Sequence, residues 1–258
     1  MGQYADFHQR SIQDRDAFWA EQAKQIEWHK APQEICDYSN PPFAKWFKGG
    51  ETNLCHNAID RHLKDRGDQA ALIFVSTETD QEVTYTYKQL HAEVQRMAAS
   101  LLSLGVKKGD RVLIYMPMIA EASFAMLACA RIGAIHSVVF GGFASGSLAS
   151  RIEDASPKVI VSADAGSRGG KVVVYKPLLD EAIRLSSHKP DSVVLVERGL
   201  ASMHMTEGRD LLWSTLREKH MNDVVPCEWV DTTHPSYTLY TSGTTGKPKG
   251  VQRDTGGY

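Results

Sequence analysis

Features that would place the chain in a membrane, outside the cell or on nucleic acid are scarce. The longest apolar stretch, residues 122–130, is too short to span a bilayer and is followed by Arg131. The amino terminus has no apolar core of the kind that a secretory signal contains. No run of lysines and arginines exceeds two, and the formal net charge is -2, so binding to nucleic acid or to a membrane surface has no support from composition. We therefore expect a cytoplasmic protein.

Cysteine is also sparse. The four cysteines, Cys36, Cys55, Cys129 and Cys227, are isolated, without a C-x-x-C pair or flanking histidines at ligand spacing. A structural zinc site or a dense disulfide framework requires such spacing, so neither is expected and no residue is assigned to a metal. His56 follows Cys55 directly, but adjacent residues on a helix point apart and do not form a ligand pair.

The composition, 42% hydrophobic and 23% charged over 258 residues, is that of a folded protein with one large or two modest cores. From residue 70 onward, helical patterns alternate with short apolar runs. Strand, helix and strand with short connections predict an α/β fold, in which a mainly parallel sheet is flanked by helices. Ligands collect at the carboxyl ends of the strands in such sheets. The pattern predicts strands over 71–75, 83–87, 111–115, 135–140, 159–162 and 193–196, and helices over 90–104, 119–132, 147–155, 177–187 and 210–220.

Residues 1–69 are predicted to form an N-terminal extension of helices and loops, ahead of an α/β unit over residues 70–258. An amphipathic helix is expected over 14–28 and a second helix over 53–66, where Gly67 provides a stop signal. A loop rich in asparagine, proline and glycine is expected between the two helices.

Near the carboxyl end, ten residues combine the groups that bind phosphate. The segment Thr241–Gly250, TSGTTGKPKG, contains four hydroxyls, three glycines and two lysines, and follows the apolar run Tyr237–Tyr240. Glycines let backbone N–H groups approach anionic oxygens, hydroxyls add neutral donors, and lysines add positive charge. A surface turn with solubilising lysines is the alternative, and it explains this density of donors less well. The candidate phosphate-binding residues are Thr241, Ser242, Gly243, Thr244, Thr245, Gly246 and Lys247.

This segment does not match a Walker loop. Gly246-Lys247 is followed by Pro248 instead of a serine or threonine, and the position five before Gly246 is Thr241 instead of glycine. Pro248 also pushes Lys247 out of the helical region, so we expect an extended, mobile loop. A P-loop NTPase is therefore disfavoured. Lys249 is a weaker phosphate candidate, because its side chain can instead anchor the loop.

A known family shares this loop. The run Tyr240–Gly250 resembles the phosphate-loop signature of the adenylate-forming enzymes, the superfamily of acyl-CoA synthetases, luciferases and peptide-synthetase adenylation domains. Residues 40–47, 52–63 and 251–258 are similar to the propionyl-CoA synthetase branch, with the acetyl-CoA synthetases as nearest relatives. The resemblance covers about the first two-fifths of such an enzyme. It implies part of the large N-terminal domain, with that domain incomplete and the C-terminal domain absent.

The resemblance implies a two-stage reaction with ATP, CoA and a small acid. The carboxylate of propionate attacks the α-phosphorus of ATP, and the CoA thiol then attacks the acyl-adenylate to release AMP and the thioester. Donors around the β- and γ-phosphates stabilise the charge that develops on pyrophosphate. The groups that bind Mg²⁺, adenine and the acid, and the lysine that promotes adenylation, are implied to lie beyond Tyr258. No catalytic residue is therefore assigned, and we expect this chain alone to be inactive.

The resemblance also assigns three residues to CoA. Gly142, in a Gly-Gly turn after a predicted strand, matches a glycine that contacts the pantetheine arm. Arg168 and Lys171 match two arginines that meet the 3′-phosphate, although Lys171 lacks the bidentate fork of arginine. From the residues alone, the segment Asp164–Lys171 is better explained as a solvated loop whose cations pair with Asp164 or with nothing.

Two other functions stay open. Acetate is the second candidate for the acid, and a non-catalytic module that binds CoA or nucleotide is the alternative to an enzyme. The sequence assigns no oligomeric state.

Overall fold

The computed structural model of the chain describes residues 2–241 and 248–258. Within them, the predicted helices and strands from residue 70 onward occur in the predicted order, and the N-terminal region differs from prediction. Residues 165–168 and 171–174 form strands that were not predicted, and residues 210–212, predicted as helix, form a strand. No helix in the described part of the chain combines the length and the apolar composition needed to cross a membrane.

The predicted helix over residues 14–28 is shorter than expected. The chain begins with α1 (Gln3–Gln13) and α2 (Arg15–Gln22), and a 3-10 turn over Ala23–Gln25 follows. The sequence did not predict α1, none of whose residues is buried, although Phe7 packs edge-on against Phe18 of α2.

The predicted loop after this helix is wrong, because an antiparallel hairpin lies there. Strands β1 (Glu34–Asn40) and β2 (Phe43–Lys48) pair with Cys36 opposite Trp46. Only Cys36 of the two strands is buried, so the alternation that marks a strand is weak.

The predicted helix over 53–66 is interrupted. Strand β3 (Glu51–Thr52) leads into α3 (Leu54–Ala58), a 3-10 turn over Asp60–His62, and α4 (Leu63–Arg66). Asn53 caps α3 by accepting the N–H of His56. Its side-chain amide donates to the backbone oxygens of Ala130, Arg131 and Glu228, so a fully buried asparagine connects this region to the α/β unit.

The α/β unit begins with an antiparallel pair and a long helix. Strands β4 (Ala70–Ser76) and β5 (Gln81–Thr86) precede α5 (Tyr87–Ser103), whose first turn carries a capping box between Thr86 and Gln89. The remaining elements are β6 (Arg111–Met116), α6 (Ala120–Arg131), β7 (Ile135–Phe140), α7 (Ser145–Ala155), β8 (Val159–Ala163), β9 (Ala165–Arg168), β10 (Lys171–Val174), α8 (Tyr175–Leu185), β11 (Ser192–Val196), β12 (Asp210–Leu212), α9 (Trp213–Lys219), β13 (Val230–Asp231), β14 (Pro235–Thr241) and β15 (Lys249–Asp254).

The main sheet of the described residues has seven strands in the order β12-β11-β8-β6-β7-β14-β15. All neighbours are parallel except β14 and β15, which form an antiparallel hairpin. The central strands β6, β8 and β11 are almost wholly buried. The predicted α/β fold with a mainly parallel sheet is therefore confirmed.

The chain adds β7 on one side of β6 and then adds β8 on the other side. From β6 it moves to β7 on one side, and from β7 it crosses back over β6 to reach β8. Because such crossovers are right-handed, α6 and α7 lie on opposite faces. Helix α5 packs against α6, and α7 packs against α8, so each face carries a helix pair. The strands β6 and β7 thus flank a crevice at their carboxyl ends, the usual ligand position in such folds.

Candidate functional site

The segments with candidate residues leave the sheet at one edge. Pairing aligns Phe140 with Met116, and Tyr115 with Ser162, so the last residues of β6, β7 and β8 lie level. Tyr237 pairs with His136, which brings Thr241 level with Phe140. Adjacent strands are about 4.8 Å apart, so about 15 Å separates the ends of β14 and β8. The chain therefore leaves β7, β8 and β14 along one stretch of the sheet edge.

Most of the predicted phosphate loop lies outside the described residues. Ser242, Gly243, Thr244, Thr245, Gly246 and Lys247 fall in the gap, and their assignment stays a prediction. The two ends of the loop are described: exposed Thr241 ends β14 and pairs with Lys249 at the start of β15. The antiparallel ladder therefore fixes where the loop leaves and rejoins the sheet.

A side-chain contact anchors β14 beside this loop. The Tyr240 hydroxyl donates to a carboxylate oxygen of Asp154 in α7 at 2.7 Å, and the Arg151 guanidinium lies 5.4 Å from the centre of the Tyr240 ring. Burial and the hydrogen bond to Asp154 raise the pKa of Tyr240, so its hydroxyl stays protonated and keeps donating at neutral pH. The residue before Thr241 is thus held against α7.

Gly142 lies in the crevice after β7. Its φ of +90° is in the region that favours glycine. Its N–H donates to the Tyr115 hydroxyl at 3.3 Å, and that hydroxyl donates to the Phe143 oxygen at 3.1 Å. Burial raises the pKa of Tyr115 to about 12, so the hydroxyl stays protonated and able to donate. This pair of bonds holds the backbone of the turn.

The two glycines of this turn have different surroundings. A Cβ on Gly141 would come within 2.8 Å of Cζ of Tyr175 and 2.9 Å of the Met116 oxygen. A Cβ on Gly142 would meet only Val173, at 3.8 Å. Gly141 is required by packing, whereas the side of Gly142 that lacks a Cβ is open to a ligand.

The predicted loop over Asp164–Lys171 is wrong, because the segment forms the hairpin β9–β10. Arg168 and Lys171 are directly opposite each other across its turn, where Gly169 and Gly170 have φ of +57° and +75°. Opposite residues project from the same face with Cβ atoms about 5 Å apart. The structure therefore brings the two predicted cations together.

Both cations of this hairpin are exposed, and no ion pair joins either of them to the described residues. Like charges opposite each other weaken a hairpin by roughly 0.2–1 kcal/mol. A bound dianion would relieve this repulsion. The two opposed cations are therefore unfavourable in the hairpin alone and favourable for binding a phosphate group.

Asp164 has a structural part at the root of the hairpin and does not pair with the cations. It is 1% exposed, and one carboxylate oxygen accepts the N–H of Ala165 at 2.6 Å. The other oxygen accepts the N–H of Leu200 at 2.9 Å and that of Arg198 at 3.2 Å. Both oxygens are thus occupied by the backbone, and Asp164 offers no free carboxylate for a metal ion.

Sequence reasoning missed the residues that position the hairpin. Glu78, in the turn between β4 and β5, accepts the N–H of Ser167 at 3.0 Å and pairs with Arg198 at 2.5 Å. Arg198 also donates to the Ala165 oxygen at 2.9 Å. Tyr175 fills the space that a Cβ would need at Gly166. These residues are far apart in sequence, so no local pattern connects them.

The sulfur atoms of Cys55 and Cys227 and the Asp60 carboxylate lie within 4.8 Å of one another. The Arg131 guanidinium binds both Asp60 oxygens, at 2.8 and 2.9 Å. Burial alone would raise the pKa of Asp60, but hydrogen bonds from His91 and Arg131 outweigh it and lower the pKa. A cation already occupies this group, so we assign no metal ion to it.

Family models match nearly the whole chain. The AMP-binding enzyme model matches residues 59–258. The chain belongs to the AMP-binding enzyme family. The model of the acetyl-coenzyme A synthetase N-terminus matches residues 4–58. The resemblance to the acyl-CoA synthetases is therefore confirmed, while the predicted division at residue 69 stays a prediction.

Individual members of this family are also similar to the chain. The propionate–CoA ligase of Salmonella typhimurium is 61% identical over 99% of this chain. An acetyl-coenzyme A synthetase of Methylobacterium radiotolerans is 49% identical over 99%. Among solved structures, the acetoacetyl-CoA synthetase of Streptomyces lividans matches all of this chain with a TM-score of 0.88 and 30% identity. The chain spans 41%, 40% and 39% of their respective lengths.

Proposed function

We propose that this chain is part of an ATP-dependent ligase that joins propionate to CoA through an acyl-adenylate. The observation that supports the proposal is the common sheet edge, at which β7, β8 and β14 end level with one another, close to Gly142, to the hairpin of Arg168 and Lys171, and to the point where the predicted phosphate loop begins. Identity of 61% with a propionate–CoA ligase, against 49% with an acetyl-coenzyme A synthetase, favours propionate. Acetate is the second candidate.

In this proposal the loop after β14 binds the phosphates of ATP. The hydroxyls of Thr241, Ser242, Thr244 and Thr245 and the charge of Lys247 would stabilise the pyrophosphate that leaves as the carboxylate attacks. Glycines at 243 and 246 would let the backbone N–H groups approach the oxygens. Mg²⁺ would neutralise part of this charge, with its carboxylate ligand supplied by residues outside this chain.

The CoA proposal assigns the open side of Gly142 to the pantetheine arm and the Arg168–Lys171 pair to the 3′-phosphate. The CoA thiol that attacks the adenylate must reach the reaction centre while the nucleotide part of CoA is bound some distance away. A separation of about 15 Å between the ends of β8 and β14 suits a long, extended cofactor that lies along the sheet edge.

Calorimetry with CoA and with 3′-dephospho-CoA tests this assignment. We expect CoA to bind more tightly, and Arg168→Ala and Lys171→Ala each to weaken CoA about tenfold, or about 1.4 kcal/mol, without affecting dephospho-CoA. Lys64→Ala, which removes an exposed lysine in α4, is the matched control. Equal affinity for the two ligands in the parent chain would contradict the 3′-phosphate assignment.

We further propose that the 258 residues bind substrates without forming the adenylate, because they span 41% of the Salmonella relative. Propionate-dependent exchange of labelled pyrophosphate into ATP measures the first stage directly. We expect none with this chain and robust exchange with an enzyme of full length. Exchange by the pure chain would overturn this proposal. If the chain bound neither ATP nor CoA, the alternative of a non-catalytic binding module would also be contradicted.

A further inference from the structure

Two cysteines that are far apart in sequence have adjacent thiols. Cys55 lies in α3, and Cys227 lies in the segment that leads to β13. Their sulfur atoms are within 4.8 Å of each other and lie 3.9 and 3.8 Å from the same oxygen of Asp60. Both thiols are free. To form a disulfide bond of about 2.05 Å, the two sulfur atoms must approach each other by at most about 2.75 Å.

The two thiols differ in accessibility. Cys55 is fully buried and accepts a hydrogen bond from Arg131 at 3.5 Å, whereas Cys227 is partly exposed. Cys227 is therefore more accessible to a small reagent than Cys55. This asymmetry sets the order of any reaction, with Cys227 meeting the reagent and Cys55 completing the bond.

The charges around the pair favour a covalent bond over a metal ion. Arg131 and Asp60 form a two-point ion pair beside the sulfurs, with His91 3.4 Å from Asp60. A metal ion would have to displace the guanidinium, which is 3% exposed and also donates to the Val225 oxygen. A disulfide is neutral and leaves these contacts to Asp60 and Val225 in place.

We propose that Cys55 and Cys227 form an intramolecular disulfide by exchange with a small-molecule disulfide. The Cys227 thiolate attacks one sulfur of the reagent, and one equivalent of reagent thiolate leaves. The Cys55 thiolate then attacks the Cys227 sulfur of the mixed disulfide and expels the second equivalent. The two protons lost by the cysteines go to the released thiolates, and two electrons pass from the protein to the reagent.

This bond connects two parts of the molecule that the family models separate. Cys55 lies in the part matched by the synthetase N-terminus model, and Cys227 lies in the part matched by the AMP-binding enzyme model. Closing so long a loop removes conformations from the unfolded chain. The oxidised protein should therefore melt at a higher temperature, by about 5 °C or more, and return to its original melting temperature on reduction.

The rate should depend steeply on pH. The contact with Cys55 and burial raise the pKa of the Cys227 thiol, so little thiolate exists at neutral pH. The initial rate of disulfide formation should rise about tenfold between pH 7.5 and 8.5. A rate that does not change with pH would contradict attack by Cys227.

Peptide mapping without reductant, after incubation with oxidised glutathione, tests the proposal on the parent chain. We expect a Cys55–Cys227 linked peptide and the loss of two thiols per chain, with fully buried Cys129 unmodified. Cys227→Ser should abolish the link, and Cys129→Ser is the control that should retain it. A stable glutathione adduct on Cys227, a disulfide between two chains, or no reaction in the folded parent at pH 8.5 would each overturn the proposal.

Discussion

The partly buried histidine of β7, His136, should make the fold sensitive to mild acid. The His136 ring stacks on Tyr237 of β14 with centroids 5.6 Å apart, and the two residues are the register partners that join these strands. Its Nδ1 is buried and has no hydrogen-bond partner among the described residues. Burial lowers the pKa of His136 to about 4, because a charged imidazolium would be poorly solvated there.

The size of the effect follows from the two pKa values. In the unfolded chain the pKa of histidine is about 6.5, so between pH 6.5 and pH 4 the unfolded state binds the proton and the folded state does not. The stability due to neutral His136 is complete above pH 6.5 and is lost as the pH falls towards 4. The full loss is at most about 3.4 kcal/mol, of which about 2 kcal/mol falls between pH 7.5 and pH 5.0. Partial exposure of the ring makes these values upper limits.

Urea unfolding at pH 7.5 and 5.0 measures this loss. His136→Phe keeps an aromatic ring against Tyr237 but cannot titrate, so its free energy of unfolding should fall less between the two pH values. His204→Gln, which removes an exposed histidine, should keep the parent pH dependence. Carboxylates such as Asp60 are present in all three proteins and cancel in the comparison. Equal losses in the parent and in His136→Phe would refute the reasoning.

Two further substitutions test contacts outside β7, one made by Asn53 and one made at the hairpin β9–β10. Asn53→Ala removes the side-chain amide that donates to the backbone oxygens of Ala130, Arg131 and Glu228, and should lower the free energy of unfolding by roughly 3 kcal/mol, measured by urea titration. Gly166→Ala places a Cβ within 2.9 Å of Cζ of Tyr175. It should lower the same quantity by roughly 1–3 kcal/mol and weaken CoA binding in calorimetry by moving the hairpin.

Each of these substitutions has a matched control. Asn222→Ala removes an exposed asparagine and should change stability by less than about 0.5 kcal/mol. Gly146→Ala introduces a Cβ in the first turn of α7, where no atom lies within 4 Å, so stability should be unchanged or slightly higher. If Gly146→Ala lowered the free energy of unfolding as much as Gly166→Ala does, the clash with Tyr175 would not be the cause of the loss.

Most of the predicted elements that agree with the structure are buried against the sheet, although the largely exposed strands β4 and β5 also agree. Strands such as β6 and β8 are apolar at nearly every position because both faces are covered, and α5 has an apolar stripe because one face is covered. The helix α1 and the hairpin β1–β2 bury almost nothing, so their residues were under no such constraint. Hydrophobic periodicity reflects burial, so it predicts secondary structure poorly in segments that bury few residues.

The hairpin that carries the cations illustrates the same limit and one missed signal. Strands β9 and β10 have four residues each and depend on Asp164, Glu78 and Tyr175, which act across long sequence distances. Yet Gly169-Gly170 is a turn pair of the kind that closes two-residue hairpins, and it lies between short strands. That pair alone would have placed Arg168 opposite Lys171.

Local sequence also could not separate the two glycines of the crevice. Gly141 and Gly142 are adjacent and chemically identical, and only the position of Tyr175, at the start of α8, makes the first a packing requirement. The resemblance to the acyl-CoA synthetases favoured Gly142, and the open space beside it is compatible with that assignment. The phosphate loop stays a prediction, because residues 242–247 lie outside the described part of the chain.

Asp164 couples the hairpin β9–β10 to the segment that follows β11. One carboxylate receives N–H groups from the start of β9 and from the segment after β11. A displacement of either segment must stretch bonds to the other, so the two should respond in concert. A displacement of the hairpin would consequently reach the segment after β11 through the Asp164 carboxylate and through the bond from Arg198 to the Ala165 oxygen.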